Sequence, residues 1–170
     1  MLVHDYNGDG EWSVGGVVRR YDEYSRQLQV ASQRILQPHT HTVGSTRWVY
    51  PIMTAVVQGI KDDDPACTEL GIDFICESKS FPFGMTLKSQ TARALRKATL
   101  TAKQLDRIRS RVAQMLLEGY LPQEYRFYAR LLRRTGLGQY QRALLSLTPR
   151  GHRMTKYVNY VHTLSADESA

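Results

Sequence analysis

Residues 101 to 119 restrict the fold more than any other stretch of this chain. Thr101 followed by Gln104 is the pattern of a capping box, in which side chain and backbone exchange hydrogen bonds at a helix start. Leu105, Ile108, Val112, Met115 and Leu116 then recur at steps of three and four, and Gly119 stands where a helix closes in a left-handed turn. That spacing belongs to an amphipathic helix, whose apolar stripe must be covered by neighbouring elements.

The same period recurs along the chain. Val17, Tyr21, Tyr24, Leu28, Ala31 and Ile35 step by four, three, four, three and four, which predicts one amphipathic helix over 14–35. A β-hairpin is the rival there, because "RQLQVA" alternates, but no Asn-Gly or Gly-containing turn joins the two would-be strands. The stretch 37–46, "QPHTHTVGST", has the composition of a linker. Residues 50–60 read as a helix with Pro51 in its first turn. Asp64 as N-cap and Pro65 as first residue open the next helix, with Cys67, Leu70, Gly71, Phe74 and Ile75 on one face. "SKSFPFG" breaks the pattern. Leu87, Ala94, Leu95 and Ala98 resume it over 85–98, and Pro122 opens a helix with Phe127, Tyr128, Leu131 and Leu132 inward and Gly136 past its end. Two shorter helices are expected near 138–147 and 152–164.

Short loops between helices, with little strand signal, predict an all-α fold of about six to seven short helices. The expected organisation is a polar turn, amphipathic helix and linker over 1–44, a helical domain over 45–165, and a solvated tail over 166–170. The N-terminal helix is expected to bury its seam on the domain, a second copy or a partner.

A net charge of +7 over 170 residues conceals an asymmetry. Residues 1–78 carry 6 Lys/Arg against 11 Asp/Glu, whereas 79–160 carry 17 against 3. Such a division points to polyanion binding, or to attraction between the halves. No apolar run approaches the ~18 residues of a membrane helix. The acidic start does not read as an export signal, so a cytoplasmic protein is expected. Cys67 and Cys76, nine apart on one helix, would point to opposite faces about 13.5 Å apart along it, too far for a disulfide, and read as structural thiols.

Motifs for other chemistry are incomplete. "HDYNGDGEW", 4–12, has the alternating Asp5, Asn7 and Asp9 of a calcium loop, with Gly10 at the turn, but its twelfth position is Gly16 rather than glutamate. A polar turn is the expectation. "GMTLKSQT", 84–91, lacks the second glycine and the preceding strand of a phosphate loop, which leaves Lys88 at a helix start as a single-phosphate contact at most. "HTH", 39–41, has no third ligand placed beside it. No nucleophile elbow, Cys/His pair, paired carboxylates or zinc-protease motif occurs. A non-catalytic protein without metal or cofactor is expected.

The basic helices carry the functional expectation. Lys103, Arg107 and Arg111 fall at steps of four, Arg126, Arg130 and Arg133 form a similar stripe with Arg134 beside it, and Lys88, Arg93, Arg96 and Lys97 add a third group. Like charges at i, i+4 cost about 0.2 to 0.5 kcal/mol each in an isolated helix. Repeating that cost on three helices suits a surface that meets phosphates, from nucleic acid or another polyanion. The plainer reading is that arginine stems cover apolar surface with solvated heads. The runner-up function is a helical protein-interaction domain whose basic faces meet an acidic protein or the acidic N-terminal region.

Overall fold

The computed structural model describes residues 1–31 and 33–167, which form two compact units, Met1–Thr99 and Leu100–Ala170. The chain is predominantly helical, with eight α-helices among the described residues. The all-α expectation is corrected by a three-stranded sheet in the first unit, β1 (Leu2–Asp5), β2 (Thr40–Val43) and β3 (Thr46–Val49).

The strands arise at the expected polar N-terminal turn and in and just beyond the expected linker over 37–46. In 40–49, Thr, Val and Trp favour an extended chain, and Gly44-Ser45 is a two-residue turn with Gly44 at φ +57°. The resulting hairpin pairs Val43 with Thr46 and Thr40 with Val49. β1 adds in parallel on the other side of β3, Leu2 opposite Thr46 and Asp5 opposite Val49, giving the order β1-β3-β2.

The calcium-like stretch begins within β1 and acts as a clamp. Asp5 Oδ1 accepts from the Asn7 backbone at 2.8 Å and from its side-chain amide at 2.7 Å. Asn7 then straddles Pro51, donating to the Tyr50 carbonyl at 3.4 Å and accepting from the Ile52 amide at 2.7 Å. An orphan N–H ahead of the next helix is thereby satisfied from 45 residues away in sequence.

Helix α1 (Val14–Gln27) is shorter than the expected 14–35 element. Gln29 adopts φ +54°, and the Val30 amide reaches back to the Ser25 carbonyl at 2.9 Å while the Gln29 amide reaches Arg26 at 3.3 Å. This is a Schellman closure with glutamine where glycine is usual. Val17 and Tyr21 are buried, but Leu28 lies at the cap and Ile35 is 84% exposed, so the seam stops with the helix. Leu36, the next residue, is buried instead, in the extended segment that follows α1.

α1 packs on α3 (Pro65–Cys76), and α2 (Met53–Lys61) and α4 (Gly84–Leu95) complete the first unit's helical layer. α3 is its centre. Ala66, Cys67, Leu70, Ile72, Phe74 and Ile75 are all buried, so apolar groups surround the helix, as expected of one covered on most sides. Its start follows the sequence, with Asp64 Oδ1 accepting from the Ala66 and Cys67 amides at 2.9 and 3.0 Å. At its end Trp12 packs against Phe74 and Phe81, and its indole donates to Glu77 at 3.3 Å.

The second unit holds α5 (Ala102–Glu118), α6 (Tyr125–Thr135), α7 (Gln141–Leu145) and α8 (His152–Asp167). The capping box is formed on both sides, and Gly119 closes α5 at φ +76°. Tyr125, buried on α6, donates to the Val112 carbonyl at 2.9 Å and meets Tyr157 of α8 edge to face at 4.8 Å. α8 runs through Asp167, into the span expected as a solvated tail, and residues 168–170 lie outside the described residues.

Candidate nucleic-acid interface

In the first unit, α2 and α4 pack side by side and leave a groove of about 1040 Å³. Arg93, Arg96 and Lys97 line it at steps of three and four along α4 and just past its end, and Lys61 lines it from the end of α2. All four are exposed. Asp63 is the carboxylate among its lining residues. Apolar Val57, Ile60, Ala94 and Ala98 also line it, so cations rise beside an apolar floor. His39 and Pro51 line the end nearest the sheet.

Lys88 does not join this group. Its side chain turns inward, 6% exposed, donating to the Glu77 carbonyl and lying 5.6 Å from the Phe74 and Phe81 ring centres. The ammonium closes the end of α3, where carbonyls and the helix dipole favour a cation. Burial of the Lys88 stem among two rings explains why a lysine occupies a mostly apolar face.

Of the acidic run, Asp63 lines the groove, whereas Asp62 and Asp64 are engaged elsewhere. Asp64 caps α3 and accepts from the Tyr21 hydroxyl at 2.8 Å. Asp62 pairs with Arg34, and that guanidinium, followed by the Gln58 amide, holds its carboxyl below the ordinary carboxylate range. Arg20 pairs with Asp73, which also accepts from the Tyr24 hydroxyl at 2.6 Å. Burial and the neighbouring Asp73 push the Tyr24 phenol up to about 12. These acids meet Arg20 and Arg34, both from the acidic portion of the chain.

The sheet presents a face that sequence reading missed. Register sets His4, Trp48 and His41 in one cross-strand row. His4 and His41 flank Trp48 at centroid distances of 6.0 and 5.7 Å. Two residues on, Tyr6, Tyr50 and His39 form the next row, Tyr50 lying 6.1 Å from Tyr6 and 5.5 Å from His39. The Tyr6 amide donates to Val49 and the Tyr50 amide to His39, so pairing extends to this row. Phe83 meets Tyr6 edge to face at 5.3 Å. The available signal was the period of two in His39/His41, Trp48/Tyr50 and His4/Tyr6, hidden by short strands and polar neighbours.

In the second unit, the residues expected at a site divide by burial. Lys103 is exposed on α5, whereas Arg107 and Arg111 are half-buried. On α6, Arg126, Arg130, Arg133 and Arg134 are all exposed. Phe127, expected inward, is half-buried instead and lies under two guanidiniums, Arg126 at 4.6 Å and Arg130 at 5.9 Å. Cation–π contact of roughly 0.5–1 kcal/mol at exposed sites offsets the repulsion between them. Arg109, which the spacing argument left out, donates to the Thr135 carbonyl and, at 3.2 Å, to the Gly136 carbonyl, closing the end of α6.

Comparison with family models, curated proteins and solved structures yields no match to this chain. No helix among the described residues is long and apolar enough to cross a membrane.

Proposed function

We propose that this chain is a non-catalytic nucleic-acid-binding protein that holds backbone phosphates in the groove between α2 and α4, with the arginine stripe of α6 as a second contact. The observation that carries the reading is the groove's lining: Lys61, Arg93, Arg96 and Lys97 against Asp63. Arginine forks suit phosphate because they donate two parallel hydrogen bonds in a fixed plane. On α6, Arg126, Arg130 and Arg133 lie on one stripe and are exposed, so the geometry suits a row of backbone contacts.

The test is binding of fluorescently labelled DNA of about 12 nucleotides, read by anisotropy between about 50 and about 200 mM salt. Affinity should fall steeply with salt. Replacing Arg93, Arg96 and Lys97 together with Gln should weaken binding and reduce the log–log salt slope by up to about 0.7 per lost contact on a single strand or about 0.9 on a duplex. A thermal melt of the variant close to that of the parent separates this effect from unfolding. Absence of binding to either form at the lowest salt would overturn the proposal.

A further inference from the structure

We infer that the aromatic face of the β1-β3-β2 sheet stacks unpaired bases, which makes single-stranded nucleic acid the occupant of this unit; the inference rests on the phosphate-binding reading of the adjoining groove. Trp48 lies on the central strand and Tyr50 immediately past its end, each flanked by rings on both sides. Same-face residues on a strand recur about every 6.8 Å, so the two rows are successive steps along an open surface. His4, His39, His41 and Phe83 are exposed, Phe83 at 54%, and Trp48, Tyr6 and Tyr50 are half-buried. These rows contain no carboxylate.

Charge continuity selects the occupant. His39 belongs both to the second aromatic row and to the groove lined by Arg93, Arg96 and Lys97, and Pro51 follows Tyr50 into that groove. Aromatic steps therefore lead into cations. Single strands are bound by this combination, because each unpaired base offers a π-face while the backbone tracks a positive channel. A duplex keeps its bases stacked inside and offers such rings nothing to stack on.

Phe83 strengthens the argument. It sits at φ +55° immediately before α4, a left-handed conformation uncommon for a bulky side chain. In that conformation the exposed ring lies against Tyr6, at the margin of the aromatic face.

The experiment compares three labelled probes of equal length at low salt: an oligothymidylate of about 12 nucleotides, the corresponding blunt duplex, and an abasic deoxyribose-phosphate strand with no bases. The full chain should bind oligothymidylate at least about tenfold more tightly than the abasic strand, and tryptophan emission should be quenched as it binds. Trp48→Leu and, separately, Tyr50→Leu should lose that margin while keeping the weaker affinity for the abasic strand. Circular dichroism and melting of each variant check the fold, and quenching in the parent protein tests stacking without any substitution. Equal binding of oligothymidylate and abasic strand without quenching would overturn base stacking and leave phosphate binding standing. Failure to bind all three would remove both readings. Tight duplex binding with no single-strand affinity would overturn this inference alone. Self-association abolished by Trp48→Leu, with no oligothymidylate quenching, would instead assign the face to a second copy of the chain.

Discussion

The hydroxyl of Tyr21 donates to Asp64 Oδ2 at 2.8 Å and thereby ties α1 to the carboxylate that caps α3. The same hydroxyl accepts from the Arg34 amide at 2.7 Å. One phenol thus orders α1, the extended segment after it and the start of α3. Burial is the largest influence pushing its pKa upward, so it stays a donor through the working pH range.

Tyr21→Phe should therefore destabilise the protein by about 1–3 kcal/mol, the cost of leaving a part-buried backbone donor and a carboxylate short of a partner. Denaturant unfolding measures it. A loss below the error of that measurement would show that water replaces the hydroxyl at both partners.

Gly59→Ala tests the closeness of α2 and α3. A methyl at this position would lie 2.2 Å from Cys67 Sγ and 2.8 Å from Cys67 Cβ. Alanine is the better helix former by about 1 kcal/mol, but the second contact is to an atom fixed to the α3 backbone, so the helices must part. Overpacking costs about 1–3 kcal/mol, and the expected net result is a lower melting temperature. Gln58→Ala, on the exposed side of the same helix, should change it far less.

Arg109→Met keeps length and apolar stem while removing the donors to Thr135 and Gly136. Hydrogen bonds to charged groups are worth about 1.5–3 kcal/mol, and a loss in that range is expected on unfolding. Arg109→Lys should recover only part of it, because one ammonium cannot span two carbonyls as a planar fork does.

Acid stability gives a fourth measurement. The Lys79 amide holds the Glu77 carboxyl below its ordinary 4.5, with the Trp12 indole adding to the effect. A carboxyl whose folded pKa is depressed contributes stability above its unfolded pKa and loses it as pH falls through the folded value. Stability should decline from about pH 4.5 downward, and Glu77→Gln should flatten that decline while lowering stability at neutral pH. Unfolding midpoints at pH 7 and pH 3.5 check both statements; an unchanged acid slope would remove Glu77 from the account.

Helices were the readable part of this chain because their signals are local. Thr101 with Gln104, Asp64 with Pro65, and Gly119 each act within four residues, so capping and apolar period needed no tertiary knowledge. The sheet was harder. Gly44-Ser45 between Thr/Val/Trp stretches is a local hairpin signal that loop-like composition masked, whereas the partnership of Leu2–Asp5 with β3 is a parallel pairing across more than forty residues. No local pattern announces such a pairing. The charged residues show the same division. Spacing alone gathered Lys88 with Arg93, Arg96 and Lys97, yet Lys88 turns in to Glu77 while the others line a groove.

What the sequence by itself determined was the start of α3, both ends of α5, which helix faces are apolar, and the excess of positive charge from residue 79 onward, since each depends on near neighbours or on composition. What only the tertiary structure decided was the use of each charge and ring. Arg109 became a helix cap, Arg126 and Arg130 covers for Phe127, and His4, Trp48 and His41 one row, because those roles depend on which distant backbone or side chain packing brings within a few ångströms. Hydrophobic burial sets those juxtapositions, and it acts on the whole folded unit rather than on neighbours along the chain.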